Sequence, residues 1–218
     1  MANYEPLEIT KIKAYIHQKY HVYLNNNKIV IFDEIISTNT YLLQCANKPN
    51  NNVVICLAET QTAGRGRFEH SWFSPPNNIY LSLLWHFNFP SNQLPGLSWS
   101  IATAINNTLK KYGINDSIIK WPNDILWKDH KLAGILIEAC TKPNNNSCIA
   151  VIGVGLNVNL PKPLPLDANI SLTDKYNIID VAEIIQTTPD RNQLTGMLIE
   201  SLLESVIKYE HVTTIFTN

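Results

Sequence analysis

The stretch SIIKWPNDILWKDHKLAGILIEACTKPNNNSCIAVIGVGL, residues 117–156 of the 218-residue chain, decides the fold. It holds four apolar runs of strand length: SIIKW, ILW, LAGILIEA and CIAVIGVGL. WPND, KDH (128–130) and TKPNNNS separate them, and KDH reads as a hairpin turn. Strands in successive runs suggest a mixed sheet covered by helices. Upstream, KIVIF (28–32), VVICLA (53–58) and IYLSLLW (79–85) read as further strands. VVICLA is continuously apolar, as in a strand buried on both faces.

Four helices fit between and around these runs. Ile9, Ile12 and Ile16 predict a first helix near 7–19. Ser37 is placed to cap a second that carries Tyr41, Leu42 and Leu43. Leu97, Ile101, Ile105 and Leu109 give an amphipathic helix to about Tyr112, closed by Gly113. Leu194, Leu198, Leu202 and Val206 predict a last helix from near Asp190 to about Glu210. The fold class expected is α+β, a mixed β-sheet flanked by helices, rather than a doubly wound parallel sheet. No stretch is linker-like enough to divide the chain, so residues 1–218 read as one domain.

Seventeen Lys and Arg face eighteen Asp and Glu, for a formal net charge of −1. That balance argues against a sequence-independent grip on nucleic acid, which neutralises many phosphates. No apolar run reaches the ~20 residues of a membrane-spanning helix. MANYEPLEITKIK lacks the apolar centre of a secretory signal. The four cysteines, Cys45, Cys56, Cys140 and Cys148, show no C-x-x-C pairing and read as free thiols of a cytoplasmic protein. The Asn clusters at 25–27, 49–52 and 143–146 read as loops. PKPLPLD (161–167) cannot form regular structure, because three prolines alternate through it.

Chemistry concentrates in four places. AETQTAGRGR (58–67) holds two of only three arginines, alternating with Gly64 and Gly66. Glycine admits close backbone approach, and arginine offers a fixed fork of donors for phosphate or carboxylate. A solvated surface turn is the plain alternative. The stretch lacks the G-K-[ST] of a Walker A loop and the third glycine of a dinucleotide fingerprint. KWPND (120–124) and KLAG (131–134) bring Lys120, Asn123, Asp124, Lys131 and Gly134. Lysines beside an anion-binding loop would stabilise developing negative charge. The plain alternative is a hairpin edged by snorkelling lysines. In GVGLNVN (153–159), glycines at a strand end invite close approach, and Asn157 could bond a base or ribose. Ser37-Thr38-Asn39 is either a helix cap or a polar cluster facing a neutral ligand.

Together and in this order, STN (37–39), AETQTAGRGR (58–67), WFSP and NNIYLSL (72–83), KWPNDI (120–125), KLAGILIE (131–138) and GVGLNVN (153–159) resemble the catalytic domain of biotin protein ligases. The resemblance spans roughly residues 28–160. It implies a two-step reaction: biotin and ATP give biotinyl-5′-AMP and pyrophosphate, and the biotinyl group then passes to a lysine of a biotin carboxyl carrier domain. It implies ATP and biotin as substrates, and Mg²⁺ bridging phosphates. Ser37, Thr38, Asn39 and Gln61 resemble contacts to the polar groups of biotin. Arg65, Gly66 and Arg67 lie on the loop that closes over biotin and the adenylate, with Arg67 retaining the intermediate. Lys131 matches the lysine that meets the biotin carboxylate and the α-phosphate, and Lys120 adds charge nearby. Asp124 orients or deprotonates the acceptor lysine. Trp72, Asn123, Gly134 and Asn157 face the nucleotide, together with Arg65. Members of such a family often pair edge to edge, so a homodimer is a further expectation.

Three features depart from the pattern. Phe68-Glu69-His70 stands where several relatives carry glycine or a basic residue, and Glu69 is expected to point outward. Nothing before the first helix resembles a helix-turn-helix, so repressor activity is not expected. The chain stops just after its last long helix, so the small C-terminal β domain of many relatives is expected to be absent. A lipoate-type ligase is the alternative enzyme, and a biotin- or biotinyl-AMP-binding module without transfer is the non-enzymatic alternative. STN with Gln61 suits a ureido ring better than a dithiolane. A nucleic-acid-binding protein fits least, given the charge balance and the missing helix pair.

Overall fold

In the computed structural model, residues 5–24, 28–46, 53–141, 146–164 and 177–217 are described. Seven strands form one sheet: β1 (Ile29–Ile35), β2 (Val53–Gln61), β3 (Ile79–Phe87), β4 (Ser117–Lys120), β5 (Asp124–Trp127), β6 (His130–Thr141) and β7 (Cys148–Leu156). The spatial order is β1-β2-β3-β7-β6-β5-β4. Only β1 and β2 run parallel, and α2 (Thr38–Cys45) connects them. The other pairings are antiparallel. The KDH turn has Lys128 at φ 45° and Asp129 at φ 65°. Two successive positive φ values mark the hairpin turn whose twist matches its strands.

The two sheet faces differ. One carries Leu81, Leu83, Ile152, Val154 and Leu156 against α1 (Ile9–Ala14), α3 (Leu97–Lys111) and α5 (Arg191–Thr217), forming the main core. The other carries Val54, Cys56, Leu84 and Val151 beneath Leu42 and Ala46 at α2. Alternation along β3 and β7 then continues on this second face as Ser82 and Tyr80, and as Gly153 and Gly155. Past α2 the face therefore turns polar and small, and this part of the sheet floors the site.

Two helix expectations need correction, and one helix was not expected. The first helix covers Ile9–Ala14 and gives way to a 3₁₀ segment at Gln18–Tyr23. His17 accepts from the Lys19 amide at 3.2 Å, a local bond that competes with continued helix. The last helix runs on to Thr217, because no glycine or proline stops it and Thr214 Oγ1 bonds back to the Glu210 carbonyl at 2.9 Å. A short α4 (Val181–Ile185), unpredicted, is capped by Asp180, which accepts from Glu183 N at 2.7 Å. Residues 25–27 and most of the other two Asn clusters lie outside the described residues, as do 165–167; residues 161–164 form no regular element. None of the described helices is long and apolar enough to cross a membrane.

Candidate functional site

A cleft of about 250 Å³ opens over the polar part of the second face. Its floor follows from three glycines. Gly134 and Gly155 are register partners on β6 and β7. A Cβ on Gly155 would lie 2.4 Å from the Trp72 ring, and one on Gly134 would lie 2.7 Å from it. The indole therefore lies against bare backbone. A Cβ on Gly153 would fall 2.2 Å from Asn39 Oδ1. At Gly153 and Gly155 the sequence suggests close approach of a ligand; here the protein side chains Asn39 and Trp72 make the approach. The Trp72 Nε1–H is buried without an acceptor among the described residues.

One wall is a polar network built at the start of α2. Ser37 is the N-cap and accepts from Thr40 N at 3.4 Å. Gln61 Oε1 accepts from Thr38 N at 2.9 Å and from Thr38 Oγ1 at 3.2 Å, while its Nε2 donates to Ser74 Oγ at 2.9 Å. Ser82 Oγ lies 2.7 Å from Thr38 Oγ1 and 2.6 Å from Asn39 Oδ1. Asn39 Nδ2 donates to Glu138 Oε2 at 2.9 Å. Ser37, Thr38, Asn39 and Ser82 are all buried, so this network holds its geometry before any ligand arrives.

The opposite wall carries charge. Lys131 Nζ lies 3.1 Å from Asp124 Oδ1, a charge contact without hydrogen-bond alignment, and 5.4 Å from the centre of the Trp72 ring. Their side chains are 12% and 19% exposed, so each needs the other's charge. Asn123 is fixed by Ile135, whose N–H donates to the Asn123 carbonyl at 2.8 Å and whose carbonyl accepts from Asn123 Nδ2 at 3.2 Å.

Residues 64–72 roof the cleft. Gly64 is required at the base, where a Cβ would sit 2.4 Å from both Ser74 Oγ and the Trp72 carbonyl. Gly66 N donates to the His70 carbonyl at 2.7 Å, and Trp72 N to the Gly64 carbonyl at 2.8 Å. The tip holds Phe68 at φ 53° and Glu69 at φ 62°, a left-handed pair that non-glycine residues rarely adopt. Phe68 is 81% exposed and Glu69 is exposed, as expected of the latter. Arg67 donates to Asn123 Oδ1 at 3.2 Å, and Arg65 donates to Glu138 Oε1 at 2.6 Å.

The cleft thus brings together Ser37, Thr38, Asn39, Gln61, Arg65, Gly66, Arg67, Trp72, Asn123, Asp124, Lys131 and Gly134. Lys120 stands opposite Asp124 in the β4–β5 ladder but outside the lining. Asn157 is a correction. It is 4% exposed, and its amide donates to the Lys131 and Ile179 carbonyls at 3.2 and 3.1 Å, so it props the strand of Lys131 and stands outside the lining of this cleft. Ser82 and Glu138 carry much of the network, yet their sequence contexts, YLSLL and LIEAC, are those of ordinary strands. A single polar residue inside an apolar strand was the available signal.

Residues 31–157 match the family model described as Biotin/lipoate A/B protein ligase family. The chain is similar to the bifunctional ligase/repressor BirA of Escherichia coli K12, with 33% identity over 207 residues, covering 94% of this chain and 60% of that protein. It is also similar to the biotin–[acetyl-CoA-carboxylase] ligase of Mycobacterium tuberculosis, at 33% over 182 residues, covering 80% and 62%. The chain spans about 60% of the length of these curated relatives. Among solved structures, the biotin protein ligase from Aquifex aeolicus in complex with biotin and ATP superposes with a TM-score of 0.67 at 23% identity, covering 85% of this chain and 73% of that one, which shows a common fold.

Proposed function

We propose, since this chain belongs to the biotin/lipoate A/B protein ligase family, that it is an ATP-dependent biotin protein ligase acting on a biotin carboxyl carrier domain. The observation that carries the reading is the pairing of two unlike walls in one cleft: a buried donor–acceptor network at Ser37–Asn39 and Gln61, facing Lys131, Asp124 and Arg67. The first suits a small neutral ring with polar edges. The second suits a carboxylate meeting a phosphate.

In the first step a biotin carboxylate oxygen bonds to the α-phosphorus of ATP, and the bond to pyrophosphate breaks. Both reactants are anionic, so bringing them together needs positive charge fixed in place. Lys131 supplies it from a position held by Asp124 and by the strand that Asn157 props. Arg67 reaches the same space from the roof, where its bond to Asn123 is exchangeable for a phosphate oxygen. Trp72 offers a flat face and an unmet N–H to the nucleotide side. In the second step the acceptor amine attacks the biotinyl carbonyl carbon, and AMP leaves. A lysine near its ordinary pKa of ~10.4 is mostly protonated at neutral pH, so it must lose a proton to attack. Asp124, the one carboxylate lining the cleft among the described residues, takes or orients that proton.

Among the described residues no group of three or more His, Cys, Asp or Glu forms a metal cage. This donor set fits Mg²⁺ held mainly by substrate phosphates with Asp124 as the protein carboxylate within reach. When bound, the ion offsets phosphate charge. Four free cysteines and dependence on ATP suit the cytoplasm. For the expected homodimer, β6 beyond Gly134 has no described strand on its β5 side, which leaves an edge for pairing. Sedimentation velocity tests that expectation, and a single monomeric boundary at high concentration removes it.

A single-turnover assay with biotin, Mg²⁺ and α-labelled ATP, followed by a purified carrier domain, tests the function. Biotinyl-AMP is expected to form and to disappear as the carrier is labelled. Adenylate that forms and never transfers would reduce the reading to a binding module. Adenylate formed from lipoate and not from biotin would replace the substrate.

A further inference from the structure

Glu138 stands out by strand parity. On β6 the residues Gly134, Leu136 and Glu138 share the face of the cleft, and Glu138 is the one acid in the run KLAGILIEAC (131–140). A carboxylate 22% exposed on such a strand is retained only with partners. Both of its oxygens have one, and they belong to different parts of the site. Oε1 accepts from Arg65 of the roof at 2.6 Å. Oε2 accepts from Asn39 of the buried network at 2.9 Å. Asn39 in turn meets Ser82 at 2.6 Å.

Phe68 points its ring to solvent, and residues 69–71 are exposed. The tip of the roof, Phe68 and Glu69, is held in a left-handed conformation that non-glycine residues rarely adopt. From the roof Arg65 reaches Glu138 and Thr40, and Arg67 reaches Asn123. The Arg67 contact is neutral at its acceptor and gives way when a phosphate arrives. The Arg65 contact is charge-assisted at both ends and is satisfied with the cleft empty or full.

We propose that Glu138 is a positioning residue, a latch that ties closure of the residue 64–72 roof to the polar network facing the ligand. The buried network holds Asn39, Asn39 holds the Glu138 carboxylate, and the carboxylate holds Arg65 down. The role in ligand retention rests on the ligase reading above; the roof contact itself does not.

Trypsin cleavage at Arg67–Phe68 in the full chain reads roof opening, because cleavage tracks the open population when closing is fast. Cleavage at Lys111–Tyr112, at the end of α3, reads general loosening. Glu138→Gln keeps the size and loses the charge. It is expected to raise cleavage at Arg67–Phe68 about fivefold, the scale of one partly exposed ion pair, with Lys111–Tyr112 unchanged. Arg65→Gln should give a similar rise, and the double variant no further rise. Unchanged cleavage in Glu138→Gln, an equal rise at both sites, or multiplying effects in the double variant would overturn the latch. If Glu138→Gln does not fold, Arg65→Gln decides, because Arg65 is a surface side chain that is 43% exposed. The release rate of preformed biotinyl-AMP should rise in parallel in both single variants. If the unaltered protein forms no adenylate, the ligase reading fails, and the ligand-free proteolysis still decides the latch.

Discussion

Lys131 and Arg67 separate two demands on the same anionic reactants. Lys131 sits on a rigid strand, 3.1 Å from Asp124, and its charge is fixed before the reactants meet. Arg67 sits on a roof and bonds Asn123, a partner it can exchange. Removing Lys131 should therefore slow the chemistry, and removing Arg67 should loosen the product. Lys131→Ala is expected to reduce pyrophosphate release about 10²–10³-fold, the usual scale for one preorganised charge stabiliser. Near-normal release would remove Lys131 from that role. Arg67→Gly is expected to raise biotinyl-AMP release about tenfold and to increase labelling of bystander lysines, checked by a release chase and by blotting a mixture of unrelated proteins. Unaltered release and labelling would deny Arg67 any part in retention. The residue types at both positions were readable in sequence. Their division of labour was not, because it depends on which side chain is backed by a strand and which by a turn.

Among the elements, β6 and β7 owe their part in the site to missing side chains. Gly134 and Gly155 let Trp72 lie on the sheet, so a distant loop residue becomes part of the floor. Gly155→Ala puts a methyl group 2.4 Å from the indole ring, and the ring has to lift. We expect a loss of about 1–3 kcal/mol in stability, as for overpacking elsewhere, and weaker ATP binding, read by thermal melting and calorimetry. If the variant binds ATP as the unaltered protein does, Trp72 has no place on the nucleotide side. The glycines announced close approach in the sequence, since a strand interior gains nothing else from them. What approaches lies 62 to 83 residues away, and no local pattern carries that information. Asn157 was misjudged for a related reason. An asparagine after a glycine-rich strand looks like a ligand contact until two backbone carbonyls are found to take its amide.

At the scale of the whole molecule, the third arginine is structural. Arg191 at the start of α5 pairs with Glu59 of β2, both more than nine-tenths buried, and Glu59 also accepts from Leu7 N at 2.7 Å. This contact joins the N-terminal segment, the sheet and the last helix. Glu59→Gln leaves Arg191 with an uncompensated charge and should cost about 3–5 kcal/mol, measured by denaturant unfolding. A loss below 1 kcal/mol would show that the pair is dispensable. Buried thiols contribute a loss of stability at alkaline pH. Burial pushes the Cys56 thiol up to about 12 and the Cys148 thiol up to about 11, against about 8.5 in an unfolded chain. Above pH ~8.5 the unfolded chain ionises these thiols and the folded chain does not. The folded state then binds more protons, so stability falls as pH rises toward 11–12. Cys56→Ala should make that fall shallower between pH 8 and 10, seen in melting temperatures; a parallel curve would locate the alkaline loss elsewhere.

The sequence by itself determined the sheet, the antiparallel hairpins, the capped α2 and the main amphipathic helices. These follow from apolar periodicity and turn residues, which act over a few neighbours. It also identified the residue types of the site, because arginines between glycines and a lysine beside an aspartate have few ordinary uses together. Only the tertiary structure decided which of them meet. Strand order places β7 between β3 and β6, and this brings Asn39, Ser82, Glu138 and Arg65, four residues from distant segments, into one network. It also decided that Asn157 braces backbone, that Lys120 stands outside the cleft, and that Trp72 lies on glycines. Such contacts are fixed by packing between faces, and packing is a property of pairs of elements that no single stretch of sequence contains.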